Sequence, residues 1–397
     1  MASNGRQLSR LNAKGDAMEV SYDDFGKVSE YNNGEGAVYK ANFNSDGKLS
    51  EAIYPDMSTQ KYEYDENSTL SQLITRSGHV KKFYFDDSEN LIRKEVGARE
   101  KTFSYDEDGN MVSASNEVGT IFIAYTSNGL PNRVQYPNKF SLRYTYDLKS
   151  RRSSLSYNGT YNISYLYDNT IGKLSKVVEN GNKTLMEIKY DHNGRASRRI
   201  LGNGMYTVYE YDSFAINLLR LTNYHSNGTV SSRFEYSYDN KGRRTSMNTT
   251  DGVWIYRYDS LSQLIFIKDP WGKTVRYTYD SRGNRLTKVE NGRRSYYTVN
   301  NLDQSVTHAD RSFSYDQNGN LINKYDPSKT TQEFEFDADN RMIRTKVGRE
   351  SCRYVYDALG HLYEKSCEDG ATTNLIVDPF GLWGGDIVGK VCIVKYL

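Results

Sequence analysis

One pentapeptide pattern, Tyr-Asp-x-x-Gly, returns so often along this chain that it decides the architecture before composition is consulted. It stands at Tyr22-Asp23-Asp24-Phe25-Gly26. It recurs with Asp106 and Gly109, Asp191 and Gly194, Asp239 and Gly242, Asp280 and Gly283, Asp316 and Gly319, and Asp357 and Gly360. Weaker copies fill the gaps, with the Asp or its replacement at positions 23, 44, 65, 86, 106, 126, 147, 168, 191, 212, 239, 259, 280, 300, 316, 337, 357 and 378. The mean step is about 21 residues, and a fixed step of that size marks a repeat architecture. Two outlying steps, Asp212 to Asp239 and Asn300 to Asp316, read as one lengthened and one shortened hairpin.

Each position in the repeat has a physical task. Before the Asp comes aromatic-x-aromatic, as in Tyr62/Tyr64, Tyr144/Tyr146, Tyr277/Tyr279 and Phe334/Phe336. Side chains alternate across a strand, so both rings share one face. The Asp accepts a hydrogen bond from the backbone two residues on, and the Gly supplies the positive φ that reverses the chain. A second turn closes many units, at Ser77-Gly78, Asn180-Gly181, Asn227-Gly228 and Asn291-Gly292, where Asn-Gly is a strong hairpin signal. Two strands of roughly six to seven residues plus two turns of about four fill the step.

The expected fold is therefore all-β: tandem β-hairpins forming a long antiparallel sheet over residues 1–381, followed by an aperiodic tail, 382–397, that caps the last edge. Neighbouring strands twist by roughly 20–25°, so such a sheet must curl. The outcome is a spiral barrel or a partial shell wall, with Tyr and Phe inside and Ser, Thr, Lys and Glu outside. The low aliphatic content favours the wall. Asn4-Gly5-Arg6 opens in mid-turn and the period is lost after Gly381, so both ends read as cut.

Composition agrees with strands: 35 Tyr, 14 Phe and only 6 Pro, a vocabulary of strand formers. The 52 basic residues nearly cancel the 50 acidic ones, leaving no net field for nucleic acid or an anionic membrane. Arg pairs at 151–152, 198–199, 243–244 and 293–294 are expected at solvated strand edges, where charge blocks unwanted pairing. No apolar run reaches the length of a membrane span, and the N-terminus lacks a hydrophobic signal region. The expectation is no membrane insertion by this segment.

The sequence holds no His-Glu-x-x-His, no Gly-x-Ser-x-Gly and no Walker loop. The histidines at 79, 192, 225, 308 and 361 sit in different units without ligand spacing. Asp106-Glu107-Asp108-Gly109 lacks the distal Glu of a calcium loop and reads as a repeat turn. A turn Asp bonded to its own backbone gives no reason for a raised pKa. The expected protein is thus not an enzyme and needs no metal or cofactor. If the hairpin closes tightly between Asp357 and Leu362, Cys352 and Cys367 lie opposite and can bridge in a secreted chain. Reduced thiols on the aromatic face are the preferred expectation, since a one-residue slip separates the pair. Sequons at Asn67, Asn158, Asn162, Asn182, Asn227 and Asn248 permit glycosylation without implying secretion.

These motifs resemble the YD-repeat family, which includes bacterial Rhs proteins, the shell-forming component of ABC toxin complexes, and animal teneurins. The resemblance runs from about residue 4 to 381. It implies a spiralling hairpin shell around a cavity, used to enclose a C-terminal toxin in bacteria and as an extracellular adhesion scaffold in teneurins. Val377-Asp378-Pro379-Phe380-Gly381 is similar to an element that closes hairpins in some animal members. It tilts the expectation toward an extracellular or cell-surface scaffold binding a protein or glycan partner. A toxin-enclosing Rhs-type shell segment is the alternative. Further implied partners are the remainder of a longer shell, or a second copy joined through sheet edges. EGF-like modules, a transmembrane helix, an Rhs core terminus and a toxin domain are not seen in these residues.

Overall fold

The computed structural model describes residues 8–11, 17–213, 217–380, 386–388 and 391–394. Every regular element among the described residues is a β-strand, from Ser9–Leu11 to Val391–Val394. Successive strands pair antiparallel, as the hairpin period requires. In one typical unit Val38–Phe43 pairs with Leu49–Ile53, with Lys40 opposite Ile53 and Phe43 opposite Leu49. Leu49–Ile53 then pairs with Thr59–Tyr64, the first strand of the next unit. The fold is the expected all-β array of antiparallel hairpins.

The turn between paired strands has a fixed construction. At Asp106 the backbone N–H donates to the Asn110 carbonyl at 3.0 Å, and the Gly109 N–H donates back to the Asp106 carbonyl at 3.0 Å. Gly109 sits at φ 79°, a conformation that L side chains resist. This is a three-residue loop closed by a left-handed glycine. One residue further out the register shifts, between Ser104 and Tyr105. The same shift recurs before Asp23, Asp147, Asp191, Asp239, Asp316 and Asp357. Each of these Asp-initiated hairpins therefore carries a bulge beside its turn, and a bulge bends the strand and increases its twist.

The outlying steps have plain structural counterparts. After Asp212 the strands lengthen to Leu218–Tyr224 and Val230–Tyr238. After Asn300 they shrink to Ser305–His308 and Arg311–Tyr315.

The chain forms two compact units. The first comprises Met1–Phe122, Asp280–Leu286 and Tyr296–Leu397; the second comprises Ile123–Tyr279 and Thr287–Ser295. In the second unit the buried face carries Ile123, Val134, Tyr136, Leu142, Tyr144, Leu155, Tyr157 and Ile163. Alternation is visible strand by strand. In Ser141–Tyr146, Leu142 and Tyr144 are buried while Arg143 and Thr145 are exposed. In the first unit Ala114, Ile121, Leu375, Ile376 and Val377 are buried. The backbone of Val391–Val394 runs parallel to Thr372–Val377 and antiparallel to Asp386–Val388. Asn4-Gly5-Arg6 and the rest of the 382–397 tail lie outside the described residues.

Candidate functional site

The repeat turns are the built feature of this molecule, and each starts from its Asp. The Asp106 carboxylate accepts from the Asp108 N–H at 3.1 Å and from the Asn110 N–H at 2.8 Å. Asp191, Asp239 and Asp280 repeat both bonds. Asp23, Asp316 and Asp357 show the outer one. The partner two residues on is the one the sequence suggests; the partner four residues on is an addition. Gly26, Gly109, Gly194, Gly242, Gly283, Gly319 and Gly360 all take positive φ. The Asn110 backbone N–H holds the Asp106 carboxyl below its usual range. At Asp147 the Arg151 side chain does the same. Hydrogen bonds to the charged form favour that form.

The Tyr before the Asp does more than pack. Its hydroxyl donates to a backbone carbonyl of the preceding hairpin: Tyr64 to Leu49 at 2.9 Å, Tyr146 to Pro131 at 2.6 Å, Tyr211 to Ala196 at 3.0 Å and Tyr356 to Met342 at 2.6 Å. Leu49 and Met342 are the residues opposite Phe43 and Phe336, where the register shifts. Bulges disrupt ladder pairing, and the next unit's phenol gives the carbonyl there a donor. Burial pushes the Tyr105, Tyr167, Tyr190 and Tyr315 phenols above their usual value, so the donor proton stays on at neutral pH. Packing alone does not predict this role. The available signal was the preference for Tyr over Phe directly before the Asp.

A cation four residues after the Asp makes the second clamp, and here the structure corrects the sequence expectation. Arg151 was expected at a solvated edge with its neighbour. Instead its guanidinium binds Asp147 at 2.6 Å, donates to the Gly172 carbonyl of the next turn at 3.1 Å, and lies 4.3 Å from the Tyr167 ring centre. Arg243 does likewise with Asp239, the Asp259 carbonyl and Tyr258. Arg195 joins Asp191, the Asp212 carbonyl and Tyr211 in the same way. Of the Arg pairs, Arg152, Arg198 and Arg244 stack on Tyr144, Tyr206 and Tyr236. Only Arg199, Arg293 and Arg294 are exposed without such a ring contact. The physical reason is that a cation desolvated over a ring and held by a carboxylate gains more than one left in water.

Within the first unit, two distant stretches of sequence meet. Arg282 pairs with Glu35 at 3.0 Å. Asn318 exchanges hydrogen bonds with Ser77 at 2.8 and 3.0 Å. Asp339 binds Lys94 at 2.6 Å and Lys81 at 3.0 Å, and Asn116 donates to the Tyr356 carbonyl at 2.9 Å. Burial works against the charge on Asp339, yet the Lys94 and Lys81 ammonium groups hold its carboxyl down at about 2. Beside it burial lowers the Lys101 pKa, and Arg341 adds to the effect. Lys94, Lys101, Asp337, Asp339 and Arg341 line a cavity of about 310 Å³. In the last hairpin Cys352 and Cys367 are register partners, joined by a disulfide with Cα atoms 4.0 Å apart.

Among the described residues no group of three His, Cys, Asp or Glu is placed to hold a metal. No described helix is long and apolar enough to cross a membrane. Among the described residues, hydrogen bonding, ion pairing and ring stacking both close the turns and join one hairpin to the next.

Comparison with known proteins places this array. The Teneurin YD-shell family matches over residues 3–250 and 197–378. The tRNA3(Ser)-specific nuclease WapA of Bacillus spizizenii is 29% identical over 218 residues, which cover 53% of this chain and 9% of that protein. Teneurin-4 of Mus musculus is 25% identical over 237 residues, covering 55% of this chain and 8% of that protein. The match thus spans under a tenth of the length of these curated relatives. Among solved structures, TcdB2-TccC3 shares the fold with a TM-score of 0.68 at 15% identity, covering 92% of this chain and 24% of that one. Turn, clamp and sequence match agree along nearly the whole length: the chain belongs to the Teneurin YD-shell family.

Proposed function

We propose that the chain is a non-enzymatic wall segment of a YD-type shell, acting outside the cell and enclosing a polypeptide cargo. One observation carries this reading. The Tyr hydroxyl and the turn cation tie each hairpin to its neighbour, and the first unit adds contacts between stretches some 240 residues apart. A surface stitched in both directions suits a barrier, because local opening must break several bonds at once. The relatives lend support. Besides WapA they include the Double-stranded DNA deaminase toxin A of Burkholderia cenocepacia, 30% identical over 139 residues covering 33% of this chain and 9% of that protein. The array then corresponds to a scaffold part of proteins named for other activities. The remainder of a longer shell is its first partner, and the tail strands cap the final edge.

The second reading, a cell-surface adhesion scaffold for protein or carbohydrate, is supported by the teneurin matches and by exposed rings at Trp271 and Tyr296. One experiment separates the two. An unstructured, protease-sensitive peptide is fused after Leu397 and the intact chain is treated with protease. Enclosure predicts slow cleavage that becomes fast when the array unfolds. Cleavage at the rate of the free peptide, together with binding to a glycan panel or cell surface, favours adhesion.

A further inference from the structure

Four turns in the later stretch of the first unit offer the same position to the earlier stretch. The residue two places beyond the start of each turn is Arg282, Leu302, Asn318 and Asp339. Arg282 meets Glu35, Asn318 meets Ser77, and Asp339 meets Lys81 and Lys94. Leu302 lines a cavity with Asp56 and Arg76. The receiving residues also follow a rule. Glu35 and Ser77 each stand two places into a second turn, the turns opened by Asn33 and Thr75. At Arg282 and Asn318 the contact is therefore tip to tip, an Asp-initiated turn seated on a second turn, while Asp339 reaches Lys81 and Lys94 on the strands Val80–Phe85 and Leu91–Val96.

We infer that these tips are a register code, selecting which turn of the later stretch seats on which turn of the earlier one. The row reads base, apolar, amide, acid, and the observed alignment gives the base, the amide and the acid each a complementary partner. A slip of one unit forward carries Asp339 from the Gly97–Ala98 turn to the turn at Glu117, setting two carboxylates against each other. It also places the neutral Asn318 amide where Lys81 and Lys94 stand, leaving both ammonium groups without the Asp339 carboxylate. A slip of one unit backward sets Leu302 against Glu35 and takes Asp339 away from Lys94. Each misalignment leaves a half-buried charge without its partner, and such charges are costly to strand. Discrimination of this kind comes from what the wrong partner cannot satisfy. The side chains concerned are well shielded, with exposures of 14% for Asp339, 12% for Lys81 and 19% for Lys94. The code stands apart from the cargo reading, since it concerns only how the chain seats on itself.

Cysteine pairs in the full chain test it. Ser77→Cys with Asn318→Cys reports the observed register, and Ser77→Cys with Leu302→Cys reports the forward slip. Bridges are mapped by non-reducing peptide mass spectrometry, which separates them from the native cysteines. The first pair is expected to bridge at least about tenfold more than the second. Asp339→Lys is expected to reduce the first bridge by about tenfold. Adding Lys81→Asp and Lys94→Asp to Asp339→Lys restores it, which a variant that merely fails to fold would not do. Asp108→Lys, on an exposed turn, leaves it unchanged. An Asp339→Lys chain that bridges 77 to 318 as before, or a charge-swapped chain that stays unbridged, overturns the code.

Discussion

The same turn occurs in two settings within the first unit. Early copies, at Asp23, Asp65, Asp86 and Asp106, hold their tips in solvent: Asp24, Glu66, Asp87 and Asp108 are exposed, and Phe25 is 76% exposed. The late copies at Asp337 and Asp357 are covered, with Asp357 and Ala358 each only 3% exposed and Asp339 seated between two lysines. The local bonds barely differ. The closing N–H to carbonyl distance is 3.0 Å at Asp106 and 2.9 Å at Asp357. The motif closes the turn wherever it stands, and its neighbourhood decides whether the tip does anything further. Repeat arrays behave this way because intrinsic unit stability and contact terms are separate contributions.

Three measurements break or sharpen that contrast. The largest effect is expected in the late stretch alone. Cys352→Ser with Cys367→Ser opens a link across 15 residues of sequence, costing the last hairpin about 3 kcal/mol in hydrogen-exchange protection. An equal loss in the early hairpin 99–116 would erase the contrast. Next, Asp357→Ala strands the His361 N–H under a covered turn and is expected to cost about 2 kcal/mol, whereas Asp106→Ala, open to water, costs less than about 1 kcal/mol. Hairpin-resolved exchange under mild denaturant reads both, and equal costs would show that coverage is irrelevant.

The smallest effect is on acidification. Asp339 has a folded pKa of about 2 against an ordinary 3.8. A depressed carboxylate pKa contributes stability that is present above the ordinary value and lost as pH falls toward the folded one. Exchange protection at residues 94–101 should therefore decline between about pH 4 and pH 2. Asp339→Asn should abolish that decline. The early turns at Asp86 and Asp106, whose carboxylates shift in the same direction but sit in water, should change little by comparison.

How much of this could be read from residues alone follows from range. Asp106, Gly109 and their copies act on backbone within four residues, so the turn and the strand alternation were legible. The Tyr146 hydroxyl finds a carbonyl at Pro131, and that target exists only once two hairpins are packed. Arg151 was misread for the same reason, since the ring that holds it belongs to the next unit. Cys352 and Cys367 show a subtler case. The sequence arithmetic set Asp357 opposite Leu362, but the structure sets Tyr356 there and Val355 opposite Glu364. The bulge takes up the odd residue, so the two cysteines face each other by another route. The contact of Asp339 with Lys94 depends on 245 residues of intervening path, which no local pattern encodes.

That long path has a consequence for how such a gene can change. Duplicating or deleting one hairpin anywhere between Glu117 and Asp280 would leave every local bond intact and still move all later tips along by one place. Gain or loss of a single unit in that middle stretch then needs a second, compensating event. Length in the interior is inherited as a fixed count, even where the residues themselves drift.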